Sequence, residues 1–282
     1  MNPPERRLLA AGRTLSLGGR PWLMGIVNAS PDSFSGDGDP EGADVLDVGG
    51  ESARTDRPAL DPAQEIERVV PVVQRLAAAG HLVSVDTYKP AVARAAVAAG
   101  ASIVNDVSGL RDPELAAVCA QTGAALVLMH TVGAPKEKVL DHAYDDVAAE
   151  VVAFLAERIE MAMGAGVPFE SLVLDPGPDF GKSPAQTVAA LRALEALHAL
   201  GRPLLAAVSR KDFVGALTGR APRDRVAGTL AAVGYAADAG AHLLRVHDVP
   251  AARDYLQVRN VLRGDAEVET GLRLPEALRR EE

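Results

Sequence analysis

Two textures alternate along the chain. Short, nearly continuous apolar runs stand at residues 23–27, 45–48, 82–85, 102–105, 125–129, 172–174, 203–208 and 242–246. Runs of this kind suit a parallel sheet covered on both faces, where a strand has no solvent side to fill with polar residues. Longer alanine-rich stretches with helical spacing lie between them, at 62–79, 90–99, 113–122, 145–166, 184–200, 223–239 and 249–263. Four begin with proline at the first turn, in Asp61-Pro62, Lys89-Pro90, Asp112-Pro113 and Ser183-Pro184, where the missing N–H costs no hydrogen bond. Five close on a glycine (Gly80, Gly100, Gly123, Gly201, Gly240), the residue that most easily ends a helix in the left-handed conformation. Strands alternating with helices imply an α/β fold, and eight of them favour a closed (β/α)8 barrel over an open doubly wound sheet. We expect a single domain over residues 1–282, with its core at about 20–263 and a charged surface tail at 264–282.

One helix is missing from this pattern. Only fifteen residues separate Val27 from Ala43, whereas a parallel crossover takes a dozen or more residues, usually helical. Asp39-Pro40-Glu41 has the character of a helix start, and Gly42-Ala43-Asp44 that of a helix exit. The two stand side by side with no middle. We read this as roughly fifteen residues absent from a continuously numbered sequence, which predicts Cα spacings near Asp39 to Gly42 well beyond ~3.8 Å. The alternative is a natural deletion, with a dimer partner or the tail covering the flank.

Length and composition narrow the function classes. A chain of 282 residues can bury a large core without disulfides. The lone Cys119 lies in an apolar helical pattern and reads as core packing. A net charge of −9 argues against nucleic acid or an anionic membrane as partner. No apolar run reaches the length of a membrane span and no signal peptide is legible, so a cytoplasmic protein is expected.

The chemistry gathers where the runs end. In order, they end at Asn28, at Asp47 with Gly49-Gly50-Glu51, at Asp86, at Asn105-Asp106, at His130, at Asp175, at Ser209-Arg210-Lys211, and at Arg245 with His247-Asp248. In a βα barrel all these ends meet on one face, so residues spread over the chain converge in one bowl. Any one of them alone could be a cap or turn residue. Asp47 and Asp106 read as structural, Asp248 as a cap of the last helix, and His130 as either a core histidine or a ligand contact. Asp86, Asn105 and Asp175 offer acceptors to a heterocycle with ring N–H groups and an exocyclic amine. Lys211, Arg245 and His247 suit an anion such as diphosphate. Asn28 is a neutral oxygen ligand suited to Mg2+ that keeps most of its waters.

The motifs at these ends resemble those of the dihydropteroate synthases. They are Met24-Gly25-Ile26-Val27-Asn28 with Pro31-Asp32-Ser33-Phe34-Ser35, Gly49-Gly50-Glu51-Ser52, Ser84-Val85-Asp86-Thr87 with Lys89, and Asn105-Asp106-Val107. Leu128-Met129-His130, Asp175-Pro176-Gly177 with Phe180-Gly181-Lys182, Ser209-Arg210-Lys211 and Arg245-Val246-His247-Asp248-Val249 complete the set. Eight motifs in the family's order are specific where one alone would be weak. The resemblance implies a TIM barrel, usually a homodimer, that joins 7,8-dihydropterin-6-ylmethyl diphosphate to p-aminobenzoate, giving dihydropteroate and diphosphate. It implies that Asp86, Asn105, Asp175 and Lys211 hold the pterin, with Lys211, Asp86 and Asp175 as the catalytic set. Asn28, Arg245 and His247 would hold the diphosphate, with Mg2+ at Asn28. Arg54 and residues 32–34 would close over the site, and Phe180, Lys211 and residue 212 would border the aminobenzoate pocket.

The chain departs from the family's pattern at Ser52-Ala53-Arg54-Thr55-Asp56, at Pro178-Asp179-Phe180, at Ala207, and at Asp212, where serine is usual. A carboxylate at 212 would repel that of p-aminobenzoate unless it turns away or caps the next helix. Two competitors follow: a divergent paralogue that binds a pterin without making dihydropteroate, and a folate-dependent corrinoid methyltransferase barrel. The second has no need of the diphosphate features.

Overall fold

The computed structural model describes residues 3–29, 41–52, 57–139 and 142–279. The first element is a hairpin, β1 (Arg6–Ala10) and β2 (Arg13–Leu17), paired antiparallel across Ala11-Gly12. Ala11 and Gly12 both have positive φ, 48° and 77°, as the tight turn with the strands' own twist requires. This hairpin was not anticipated.

Eight parallel strands follow: β3 (Trp22–Asn28), β4 (Val45–Gly49), β5 (Val83–Asp86), β6 (Ile103–Asp106), β7 (Ala125–Met129), β8 (Leu172–Asp175), β9 (Leu205–Ala206) and β10 (Leu243–Val246). They form one sheet in the order β8-β7-β6-β5-β4-β3-β10-β9. A parallel bridge from Leu174 to Leu204 joins its two edges, so the sheet closes into the expected (β/α)8 barrel. The helices are α1 (Pro62–Ala78), α2 (Pro90–Ala98), α3 (Pro113–Thr122), α4 (Val147–Gly164), α5 (Pro184–Arg192), α6 (Leu194–Leu197), α7 (Asp212–Thr218), α8 (Val226–Asp238) and α9 (Val249–Arg263). Asp61 and Asp112 cap α1 and α3, and Ser183 forms a capping box with Gln186 at α5. Lys89 precedes α2 without capping it, because an ammonium has no acceptor for the first N–H groups; it donates to Glu51 and Glu65 instead. The five closing glycines all have positive φ. Helix α7 was missed: it is only seven residues and follows β9 directly, where a polar strand end was expected.

Among the described residues no helix stands between β3 and β4. Helix α9 packs on β3, and α1 packs on β4 and β5. Arg253 of α9 donates to the Glu41 carbonyl (3.1 Å), and Asp44 accepts from the Leu23 N–H (2.8 Å), so the approach to β4 is tied to its neighbours. The expected break, near Asp39 to Gly42, begins in residues 30–40, which lie outside the described residues, as do Asp32 to Phe34 and Arg54.

Two apolar layers explain the barrel's interior. The outer layer lies between strands and helices and includes the buried thiol of Cys119. The inner layer joins Leu8, Ala10 and Leu17 of the hairpin to Met24, Val45, Ile103, Val127, Val173 and Leu243 of the strands. The hairpin thus packs into the inner layer and closes the end of the barrel away from the strand C-termini. Side chains two apart on a strand share a face. The residues above Val45, Ile103, Val173 and Leu243 are Asp47, Asn105, Asp175 and Arg245. One inward face therefore turns from apolar to charged at the C-terminal end.

Candidate active site

These inward polar residues meet at the centre of the bowl. Arg245 Nε donates to Asp47 Oδ2 (2.6 Å), and its Nη2 donates to Asp86 Oδ2 (2.7 Å). Asn105 Nδ2 donates to the same Asp47 oxygen (3.0 Å). Asp47 is fully buried, and Asn105 and Asp175 are nearly so. Burial pushes the Asp86 carboxyl up to about 7; Arg245 pulls it back, while Asp47, Glu65 and Asp106 push the same way as burial. Burial likewise raises Asp175 to about 6, against the Gly177 N–H that Asp175 Oδ1 accepts (2.7 Å) and the charges of Lys211, Lys182 and Arg245. Lys211 enters from the end of β9. Its ammonium lies 4.4 Å from the centroid of the Phe180 ring, a cation–π distance. Burial holds its pKa below the ordinary lysine value, opposed by Asp179 and Asp175. A cluster of three carboxylates, an amide, a guanidinium and an ammonium thus lines one slot, bordered by Phe180.

The loop after β8 is shaped by Gly177 and Lys182. Gly177 has φ 63°, and a side chain there would collide with the His130 carbonyl. The buried Lys182 ammonium donates to the carbonyls of Gly177 (2.9 Å) and Phe180 (3.2 Å) and lies 2.7 Å from His130 Nδ1. Burial and the nearby Lys182 push His130 down to about 3, so its ring is neutral and Nδ1 accepts. Burial lowers Lys182 itself to about 7. His130 is therefore a core histidine that helps to shape the loop carrying Phe180. Asp179 takes a positive φ of 66°, which is why glycine suits this position. Its carboxylate accepts from the backbone N–H groups of Asp212 (2.5 Å) and Phe213 (3.3 Å), tying the loop to the start of α7. Asp212 itself turns outward, 89% exposed, and pairs with Arg225 at 2.9 Å. The feared repulsion is thus relieved by geometry.

A second buried ionic group braces the bowl's other side. Glu51 accepts from Lys89 Nζ (2.7 Å), Tyr88 Oη (3.0 Å) and Leu60 N (2.6 Å), and pairs with Lys136 at 3.2 Å. Lys89 also reaches Glu65 (2.6 Å) and the Leu60 carbonyl (2.9 Å). The loops after β4, β5 and β7 are joined through this one carboxylate. Gly50 lies so close to α1 that a side chain would meet Val69 and Glu65. Across the bowl, Ser209 Oγ sits 2.9 Å from His247 Nδ1 and accepts from the His247 N–H (3.2 Å). Asn28 ends β3 with its side chain exposed, beside Gly49 of β4.

The structure brings Asp86, Asn105, Asp175 and Arg245 together and sets Lys211 and Phe180 against each other beside Asp175. Asp248 caps α9 through Ala251, and Asp106 is a buried turn former that accepts from Ser108 and Leu110, both as expected. Asp47 is different: it read as structural and stands at the hub of the cluster. The strand parity that puts it above Val45 was the signal that could have found it. The bracing roles of Glu51, Lys89 and Lys182 had no such signal, since their partners lie on loops far away in sequence.

The family model for pterin binding enzymes matches residues 24–247 of the sequence. The chain belongs to the pterin-binding enzyme family.

Within the family it is similar to dihydropteroate synthases along most of its length. It is 38% identical to that of Escherichia coli, over 89% of this chain and 95% of the relative, and 43% identical to that of Mycobacterium leprae, over 84% and 91%. The solved dihydropteroate synthase of Xanthomonas albilineans with 4-aminobenzoic acid matches 92% of this chain and 99% of its own, at 47% identity and a TM-score of 0.84. The same enzyme in complex with 7,8-dihydropteroate matches at 46% identity and a TM-score of 0.81, over 91% of this chain and 98% of its own. The chain spans only 30% of the length of a probable bifunctional folylpolyglutamate synthase/dihydropteroate synthase of Haloferax volcanii, to which it is 41% identical. The alignment with the Escherichia coli enzyme runs over 268 residues yet takes up 89% of this 282-residue chain. The relative therefore carries residues with no counterpart here, in keeping with the short connection before β4.

Proposed function

We propose that this chain is itself a dihydropteroate synthase, joining 7,8-dihydropterin-6-ylmethyl diphosphate to p-aminobenzoate with release of diphosphate. The observation that carries the assignment of roles is the central slot. Asp86, Asn105 and Asp175 supply acceptors for the ring and amine N–H groups of the pterin, and Lys211 supplies a donor for its carbonyl. Phe180 and Lys211 border the acceptor's ring. Arg245 of that cluster, with His247 and Asn28 at neighbouring strand ends, takes the diphosphate.

The reaction is a displacement at the pterin's methylene. The carbon–oxygen bond to diphosphate breaks and its electron pair leaves with the phosphate oxygen. The cation left on the methylene is conjugated to the pterin, and the buried carboxylates favour that positive charge. The amine of p-aminobenzoate then attacks, forms the carbon–nitrogen bond and loses a proton. No nucleophilic residue is needed, and no covalent enzyme intermediate forms.

Among the described residues no group of three His, Cys, Asp or Glu could hold a metal by itself. The single neutral oxygen of Asn28 at an exposed strand end fits Mg2+ that arrives with the diphosphate and keeps most of its waters. When bound, the ion would neutralise charge on the departing diphosphate. Calorimetry of inorganic diphosphate with and without Mg2+ tests this. Mg2+ is expected to tighten binding about tenfold in the wild type and not in Asn28→Ala. Equal tightening in the variant would place the ion elsewhere.

No helix among the described residues is long and apolar enough to cross a membrane, and we take the protein to work in the cytoplasm on these small soluble substrates. We also propose a homodimer, supported by the resemblance and by the exposed Leu217, Val258 and Leu262 on the outer helices.

A further inference from the structure

We propose that Asp47 is a positioning residue of the pterin slot, setting both the Arg245 guanidinium and the Asn105 amide. The proposal rests on the reading of that slot given above.

Asp47 lies on the inward face of β4, in register with Ile26 of β3 and Ser84 of β5. One of its oxygens, Oδ2, accepts from both Arg245 Nε and Asn105 Nδ2. The other, Oδ1, is buried without a hydrogen-bond partner, as is Ser84 Oγ on the neighbouring strand. A side chain kept only for stability is a poor match to this arrangement. A buried carboxylate with half of its acceptor capacity unused costs stability, and evolution of the core alone would replace it by an apolar residue. What Asp47 does accomplish is directional. By accepting from Nδ2 it fixes which way the Asn105 amide is turned, so Oδ1 of Asn105 is the atom left to face a ligand. By accepting from Nε it holds the edge of Arg245, whose Nη2 is then placed on Asp86. Two groups assigned to the pterin and one assigned to the diphosphate are thereby set by a carboxylate that touches neither substrate.

Charge gives the proposal a signature that packing would not. Asp86 faces Arg245 from β10, Asp47 from β4, Glu65 from α1, Asp106 from β6 and Lys211 from the end of β9. Removing the charge of Asp47 takes away a like charge and leaves Arg245 to act on Asp86 alone. The acid limb of kcat/KM then moves to lower pH. Asp47→Asn can keep both bonds through its remaining oxygen, so it tests charge with little change of shape. Asp47→Ala releases Arg245 and Asn105 together.

The experiment measures kcat and KM for each substrate from pH 5 to 9, with binding of the pterin diphosphate by calorimetry and melting temperature. Asp47→Asn is expected to shift the acid limb down by about one pH unit with an unchanged or higher melting temperature. Asp47→Ala is expected to raise KM and Kd for the pterin diphosphate about 30-fold and to leave KM for p-aminobenzoate within about threefold. An unmoved acid limb in Asp47→Asn would overturn the proposal, and that variant decides the matter if Asp47→Ala fails to fold. Equal losses for both substrates together with a lowered melting temperature would also overturn it, in favour of a structural role. If the wild type does not bind the pterin diphosphate, the reading of the slot falls, and the proposal with it.

Discussion

Lys211→Ala is expected to lower kcat/KM by about 10^3-fold, the usual consequence of losing one preorganised charged donor. The ammonium feels the charges of Asp179 and Asp175 and lies 4.4 Å from the centroid of the Phe180 ring, at the seam between the pterin slot and the proposed acceptor pocket. Its loss therefore touches both substrates. The fold should survive, because burial already works against this charge and the surrounding shell is held by Lys182, His130 and Asp179 rather than by Lys211. Steady-state kinetics with a melting curve measure both halves. Wild-type catalytic efficiency in the variant would remove Lys211 from the mechanism.

Asp86→Asn and Asp175→Asn are each expected to weaken pterin binding by about 10- to 100-fold, the span of a charge-assisted hydrogen bond. The substitution keeps the shape and replaces an acceptor oxygen by a donor, which then faces the donors of the ring. Calorimetry with the pterin diphosphate measures it, and equal binding by both variants would place the heterocycle elsewhere. The pH profile gives a second reading. With Asp86 pushed up to about 7 and Asp175 to about 6 by burial, protonation removes acceptors, and kcat/KM should fall as the pH drops through that window. The sign for stability is the opposite. A carboxyl whose pKa is raised on folding stabilises the fold fully below its unfolded value, and this contribution is lost as the pH rises through about 7 for Asp86. Asp86→Asn should therefore flatten the decline in melting temperature between about pH 4 and pH 7.

The barrel could be read from the chain because its local signals agree with its global form. The eight apolar runs became β3 to β10 with ends shifted by one or two residues, and proline and glycine marked the helices where expected. Two elements escaped. The β1–β2 hairpin alternates only weakly, with Arg6, Arg7 and Arg13 among its ten strand residues, and its apolar positions became meaningful only once packed into the barrel's inner layer. Helix α7 was hidden because it begins at the polar end of β9 without a side-chain cap of its own; the cap is Asp179, thirty-three residues away in sequence.

The candidate site shows the same division. Strand ends are legible, so Asp86, Asn105, Asp175, Lys211 and Arg245 could be named in advance. Which of them touch could not, since that depends on how far each side chain reaches, as Arg245 of β10 reaches Asp47 of β4 and Asp86 of β5. Asp47 went unrecognised because an acid near a strand end has a bland explanation, and only its two donors from β6 and β10 give it another. Asp212 went the other way: its charge looked harmful in the sequence, and Arg225 draws it outward.

The most direct measurement is a coupled assay of diphosphate release by the purified chain supplied with 7,8-dihydropterin-6-ylmethyl diphosphate, with and without p-aminobenzoate. Release that depends on p-aminobenzoate, with dihydropteroate formed in equal amount, is the result expected of this bowl. Binding of the pterin diphosphate with no p-aminobenzoate-dependent release would contradict the account and mark a pterin-binding barrel without the synthase reaction.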